Sequence, residues 1–76
     1  MNNRATLPHT LVIGERKIPV RDLVDASHAY LLARNGDMNA PTPFPIGYVT
    51  IGNFKYRITV DGRVWLGNEC IVEPQT

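Results

Sequence analysis

The groups in this chain with the means to do proton or covalent chemistry are Cys70, His9, His28 and the acids Asp22, Asp25 and Asp37. A thiol beside an imidazole makes a nucleophile and its base. Cysteine and histidine hold zinc when they cluster at short spacing, as in C-x2-C. Here the three are scattered from one end of the chain to the other. Cys70 also lies in an apolar run, where a free cysteine acts as a small hydrophobe. Asp22 and Asp25 stand where a helix begins and suit its positive end, and Asp37 suits a loop. The glycines at 36, 47, 52, 62 and 67 match neither G-x-x-x-x-G-K-S/T nor G-x-G-x-x-G, the spacings that cradle phosphates. The expectation is a chain that is not an enzyme and carries no cofactor and no metal.

Binding chemistry is better represented. Tyr48, Lys55, Arg57, Arg63 and Trp65 are the types that anchor protein interfaces. A sheet that presents aromatics and cations can also stack unpaired bases. The plain alternative is a solvated face on which arginine stems shield the indole. Which reading is open depends on whether one surface carries all five, and that is a question of strand register.

The stretch Tyr48 to Val72 reads as an antiparallel meander. Tyr48–Ile51 and Phe54–Thr59 both alternate with the strand period. Gly52-Asn53 between them has glycine first, as a type II′ hairpin turn requires. That turn pairs Ile51 with Phe54 and Val49 with Tyr56. The next turn holds Asp61-Gly62 and admits two registers. A two-residue loop sets Ile58 opposite Trp65. A three-residue loop, Val60-Asp61-Gly62, places Gly62 in the left-handed position of a bulge and sets Ile58 opposite Val64. A slip of one residue exchanges the faces, so the register that segregates apolar from polar is expected. It gives one face of Val49, Ile51, Phe54, Tyr56, Ile58, Val64 and Leu66. The other carries Tyr48, Thr50, Lys55, Arg57, Thr59, Arg63 and Trp65, with Arg57 opposite Trp65 in cation–π geometry.

An apolar sheet face has to be covered by another layer, and residues 22–34 supply one helix. Asp22 reads as its cap or as a first-turn acid, and Asn35-Gly36 reads as its stop, with Gly36 in the left-handed position. Leu23, Ala26, Tyr30 and Ala33 form its stripe, flanked by Val24 and Leu31, while Asp25 and His28 point away. Leu32 falls off the stripe. Before the helix, Thr10–Ile13 and Lys17–Val20 read as a hairpin across Gly14-Glu15-Arg16. Pro19 cannot donate to a ladder, which places its strand short or at an edge. After the helix, residues 35–47 form a proline-rich connection pinned by Phe44 and Ile46, either docked or touching a partner. The pattern leaves open whether the first hairpin joins the main sheet. It also leaves open whether Gly67-Asn68 is a bend or a turn into another strand. The expected fold is α+β: an N-terminal β-hairpin, one α-helix, and a three-stranded antiparallel meander with the helix packed on one face.

Seventy-six residues form one domain, 1–76, with 1–9 and 73–76 as loose tails. Hydrophobic content of 43% and charged content of 20% are ordinary for a globular chain. Eight Lys and Arg against seven Asp and Glu leave a net charge of +1, too little for strong nonspecific nucleic-acid binding. One cysteine forbids an internal disulfide and suits a reducing cytoplasm. No apolar run approaches the roughly 18 residues of a membrane span, and the first residues lack the apolar core of a secretory signal.

Ala29-Tyr30-Leu31-Leu32-Ala33-Arg34, the Pro/Phe connection, and Tyr56-Arg57-Ile58 through Asp61-Gly62-Arg63-Val64-Trp65 resemble small proteins carried by phages and prophages. The likeness covers roughly residues 25–67. It implies a stand-alone accessory protein that binds a host protein, in some members of that class to block a bacterial defence system such as a CRISPR complex. The balanced charge departs from the strongly acidic DNA mimics of that class. The expected partner is therefore a host protein or a second copy of the chain, with single-stranded nucleic acid as the alternative and no membrane.

Overall fold

The computed structural model describes residues 9–36 and 44–74. The chain is α+β, with one helix and a six-stranded antiparallel sheet. In chain order these are β1 (His9–Ile13), β2 (Arg16–Val20), α1 (Leu23–Gly36), β3 (Gly47–Ile51), β4 (Phe54–Ile58), β5 (Val64–Leu66) and β6 (Glu69–Val72). Across the sheet the strands run β2-β1-β3-β4-β5-β6. The meander therefore has four strands rather than three, because Gly67-Asn68 is a true turn that folds β6 back on β5. The first hairpin joins the same sheet through Leu11 opposite Val49 and Val12 opposite Tyr48.

Both expected turn geometries are present. Ile51 pairs with Phe54 and Val49 with Tyr56. Arg57 pairs with Trp65 and Ile58 with Val64, the register of the three-residue loop. Thr59 N–H donates to the Arg63 carbonyl at 3.0 Å and Gly62 N–H to the Thr59 carbonyl at 2.8 Å, which closes that loop. Gly62 has φ +89, a conformation an L side chain resists. The first hairpin is one residue tighter than expected. Its turn is Gly14-Glu15, Arg16 belongs to β2, and His9 opens β1 opposite Val20.

Asp22 caps α1: its carboxylate accepts from Asp25 N–H at 2.8 Å, and the Asp25 carboxylate accepts from Arg21 N–H at 2.9 Å. The first bond satisfies a donor that a helix start leaves orphaned, and the second ties the residue before the cap to the first turn. The helix does not stop before Gly36. It runs through that residue, whose φ is not positive, so the left-handed stop is absent. Ala26 and Tyr30 are fully buried, and Leu23, Leu31 and Ala33 pack against the core. Val24, expected at the margin of the stripe, is exposed. Buried Ser27 takes part in the packed side instead, its hydroxyl donating to the Gly62 carbonyl at 2.5 Å. Leu32 is exposed, as its position off the stripe requires.

The core is Leu11, Ile13, Val20, Ala26, Tyr30, Val49, Ile58 and Val64, all between the helix and one sheet face. The Tyr30 hydroxyl donates to the Pro45 carbonyl at 2.8 Å, and the Phe44 ring meets its edge at 5.5 Å. Those two contacts dock the end of the connection. Ile46, expected to help, is exposed. Pro41, Thr42 and Pro43 lie outside the described residues. Phe54 is on the inner face by register yet 54% exposed, because it stands at the β3–β4 turn beyond the reach of the helix.

The helix touches β1, β2 and β3 and also β6. Strands about 4.8 Å apart would place β2 and β6 roughly 24 Å apart in a flat sheet, about twice a helix diameter. One flank of the helix, at Val24, Ser27, His28 and Leu31, borders Val72 and Glu73 of the far edge. The sheet therefore curls around the helix, and its other face is left on the convex outside. No helix among the described residues is long and apolar enough to cross a membrane.

Candidate functional site

Register carries one residue from each strand into a row across the outer face: Lys17, Val12, Tyr48, Arg57, Trp65 and Cys70. Lys55 and Thr50 form the adjacent pair, and Arg63 follows at the β4–β5 turn. Tyr48, Lys55, Arg57, Arg63 and Trp65 are thus brought to one surface, although they span three strands and a turn. No other layer of the described residues covers it.

Two cation–π contacts organise the aromatics. The Lys55 ammonium sits 4.6 Å from the Tyr48 ring centroid, and the Arg57 guanidinium 5.3 Å from that of Trp65. Arg57 also donates from Nη1 to the Gly67 carbonyl at 3.0 Å, which holds the guanidinium against the indole. The Trp65 indole N–H donates to Thr59 Oγ1 at 3.0 Å, and that hydroxyl donates to Asp61 Oδ1 at 2.6 Å. Trp65 is half-buried, with its polar atom already satisfied.

Arg63 differs from the other cations. Its Nη1 is 2.6 Å from Asp61 Oδ2 and its Nε is 3.0 Å from Glu73 Oε1. Hydrogen bonds from Thr59, the Arg63 N–H and the guanidinium hold the Asp61 carboxyl below the usual carboxylate range, that from Thr59 being the largest cause. The Glu73 and Asp61 carboxylates push the Arg63 guanidinium up in turn. Its charge is spent inside the molecule. The chain of contacts Trp65–Thr59–Asp61–Arg63–Glu73 fixes the β5 side of the face. Two of its members, Asp61 and Glu73, were not among the sequence-derived candidates. The signal for Asp61 was the T-x-D-G-R spacing, which puts a carboxylate within reach of both neighbours in a tight turn.

Cys70 stands opposite Trp65 because β6 bulges at Ile71. Its Sγ lies 3.5 Å from the Val72 carbonyl and 3.7 Å from Glu73 Oε2. Desolvation first and the Glu73 charge second raise the thiol above its ordinary value, which disfavours the nucleophilic thiolate. His9 lies on β1 and His28 on the exposed side of the helix, so the three groups do not meet.

Neither sheet edge invites a further strand. In the β1–β2 hairpin the Ile13–Arg16 pair closes the turn, so hydrogen-bonded pairs alternate from it and Pro19 directs its missing donor outward. At the other edge β6 is four residues long and bulged. Both are devices that blunt edge pairing.

No protein-family model matches the chain, and no curated protein or solved structure matches it either.

Proposed function

We propose that this chain is a small protein-binding module that works without chemistry of its own, presenting the outer sheet face to a partner protein. The observation that carries this reading is the uncovered row Val12–Tyr48–Arg57–Trp65, on which both aromatics are already paired with cations. Rigid aromatics held before binding lose little side-chain entropy on association. In the phage-type setting implied by the sequence resemblance, binding through this face inhibits a host protein by steric occlusion.

The alternatives draw less support. Single-stranded nucleic acid needs open ring faces and unspent cations. Trp65 has Arg57 over one ring face, and the Asp61 and Glu73 carboxylates line the same margin. Assembly through the sheet edges meets the outward Pro19 and the bulged β6.

The test is site-specific photocrosslinking in bacterial cells, with a benzophenone side chain at Thr50 or at Leu32. The expected result is one discrete protein adduct from Thr50, lost with Arg57→Glu, and none from Leu32. Equal adducts from both positions, or adducts indifferent to Arg57→Glu, would remove the outer face as the interface.

A further inference from the structure

The outer face is electrically uneven. On its β5–β6 side Arg63 is closed between Asp61 and Glu73. On the β1–β3–β4 side lies a shallow trough of about 470 Å³, lined by His9, Thr10, Val12, Tyr48, Thr50 and Lys55. No carboxylate of the described residues lines it. Lys17 stands opposite Val12 in the same row, which brings a further cation to this side of the face, while the Arg57 guanidinium is turned away over Trp65.

The lining has a simple chemistry. Val12 and the Tyr48 ring make an apolar floor. Continuing the β1–β3 register sets Thr10 against Thr50, so two hydroxyls face the same opening. The Lys55 ammonium lies against the Tyr48 ring on one side only, and an ammonium has three donors. A group laid in this trough meets donors and positive charge with an apolar surface beneath. A carboxylate next to an apolar side chain is the complement of that arrangement.

We infer that the trough receives an acidic peptide segment of the partner protein, an inference that rests on the outer-face reading above. A glutamate or aspartate carboxylate accepts from Lys55 and from the Thr10 and Thr50 hydroxyls. The neighbouring apolar side chain of the segment lies on Val12 and Tyr48. A phosphodiester strand fits less well, because its charges repeat along the face and reach the Asp61 and Glu73 carboxylates.

The experiment is a titration of the full-length 15N-labelled chain followed by amide chemical shifts at low salt. The probes are a capped peptide alternating glutamate with leucine and tyrosine, the same peptide with glutamine for glutamate, and a short oligothymidylate. The expected result is that the acidic peptide shifts Thr10, Val12, Thr50 and Lys55 and binds about threefold or more tighter than the glutamine peptide. Added salt or Lys55→Gln removes that difference, with the remaining spectrum unchanged as the control for folding. Equal binding of the two peptides at the trough would overturn the acidic preference and leave the outer face as a protein-binding surface. Shifts confined to Arg57, Trp65 and Cys70 would overturn the trough in the same way. No shift on the outer face with either peptide would overturn this inference and count against the outer-face reading as well. Tighter binding of oligothymidylate than of the acidic peptide would make the occupant nucleic acid and overturn it too.

Discussion

Gly62 decides the register that puts Arg57 and Trp65 on the outside, so Gly62→Ala is the perturbation with the clearest physical consequence. Two separate costs meet there. The backbone at φ +89 is one an alanine adopts at about 1–2 kcal/mol. A Cβ at that position would also stand 2.7 Å from Leu31 Cδ1 and 3.0 Å from its Cγ, closer than packed atoms come. Overpacking of this kind costs about 1–3 kcal/mol. The expected loss is about 2–5 kcal/mol, against a total stability of roughly 4–11 kcal/mol for a chain of this length. Urea unfolding followed by Trp65 fluorescence reads it as a lower midpoint at unchanged slope. Leu31→Ala separates the two costs. In a double-mutant cycle it should recover about 1–3 kcal/mol of the Gly62→Ala loss by removing the clash, while the backbone share persists. A Gly62→Ala protein within about 0.5 kcal/mol of the parent would refute the reasoning. So would complete rescue by Leu31→Ala, since the φ of Gly62 would then cost nothing.

Two further predictions follow from the same region. Ser27→Ala leaves the Gly62 carbonyl without its buried donor and should cost about 1–3 kcal/mol by urea unfolding. Asp61, whose carboxyl titrates lower in the folded chain than in the unfolded one, contributes stability that is fully present above the ordinary value near pH 4 and is lost as pH falls through the folded one. With that side chain 46% exposed, the contribution is about 0.3–1 kcal/mol. Asp61→Asn should flatten the acid limb of stability against pH by that amount, and an unchanged limb would count against the Thr59–Asp61–Arg63 network.

The central hairpins were legible because short-range turn chemistry and alternation agree. Gly52-Asn53 and Asp61-Gly62 each admit few loop lengths, and the wrong length at the second would have put Ile58 and Trp65 on the same face. Long-range pairing had no such signal. Nothing near Leu11 says that it lies opposite Val49, because that contact is chosen by the fit of two apolar strands around one helix. Gly67-Asn68 is compatible with a bend or a turn, and only burial of Val72 against the core decides for β6. Ser27 reads as polar and therefore outward. Its place beside Leu23, Tyr30 and Leu31 on the helix was the available hint, and the carbonyl it serves lies 35 residues away. The five candidate residues do share a face, yet Arg63 is tied up by Asp61 and Glu73, and the spacing of charged residues alone cannot tell a spent cation from an open one.

The Trp65 indole lies on the outside of a curled sheet, beside the Arg57 guanidinium, with the helix on the opposite side. Proton NOE spectroscopy of the free protein measures this directly. The expected cross-peaks run from the Trp65 ring to the Arg57 side chain and from its indole N–H to Thr59, with Tyr30 instead showing contacts to Phe44 and Leu11. Cross-peaks between the Trp65 ring and Tyr30 or Ala26 would contradict it, because the indole would then belong to the core.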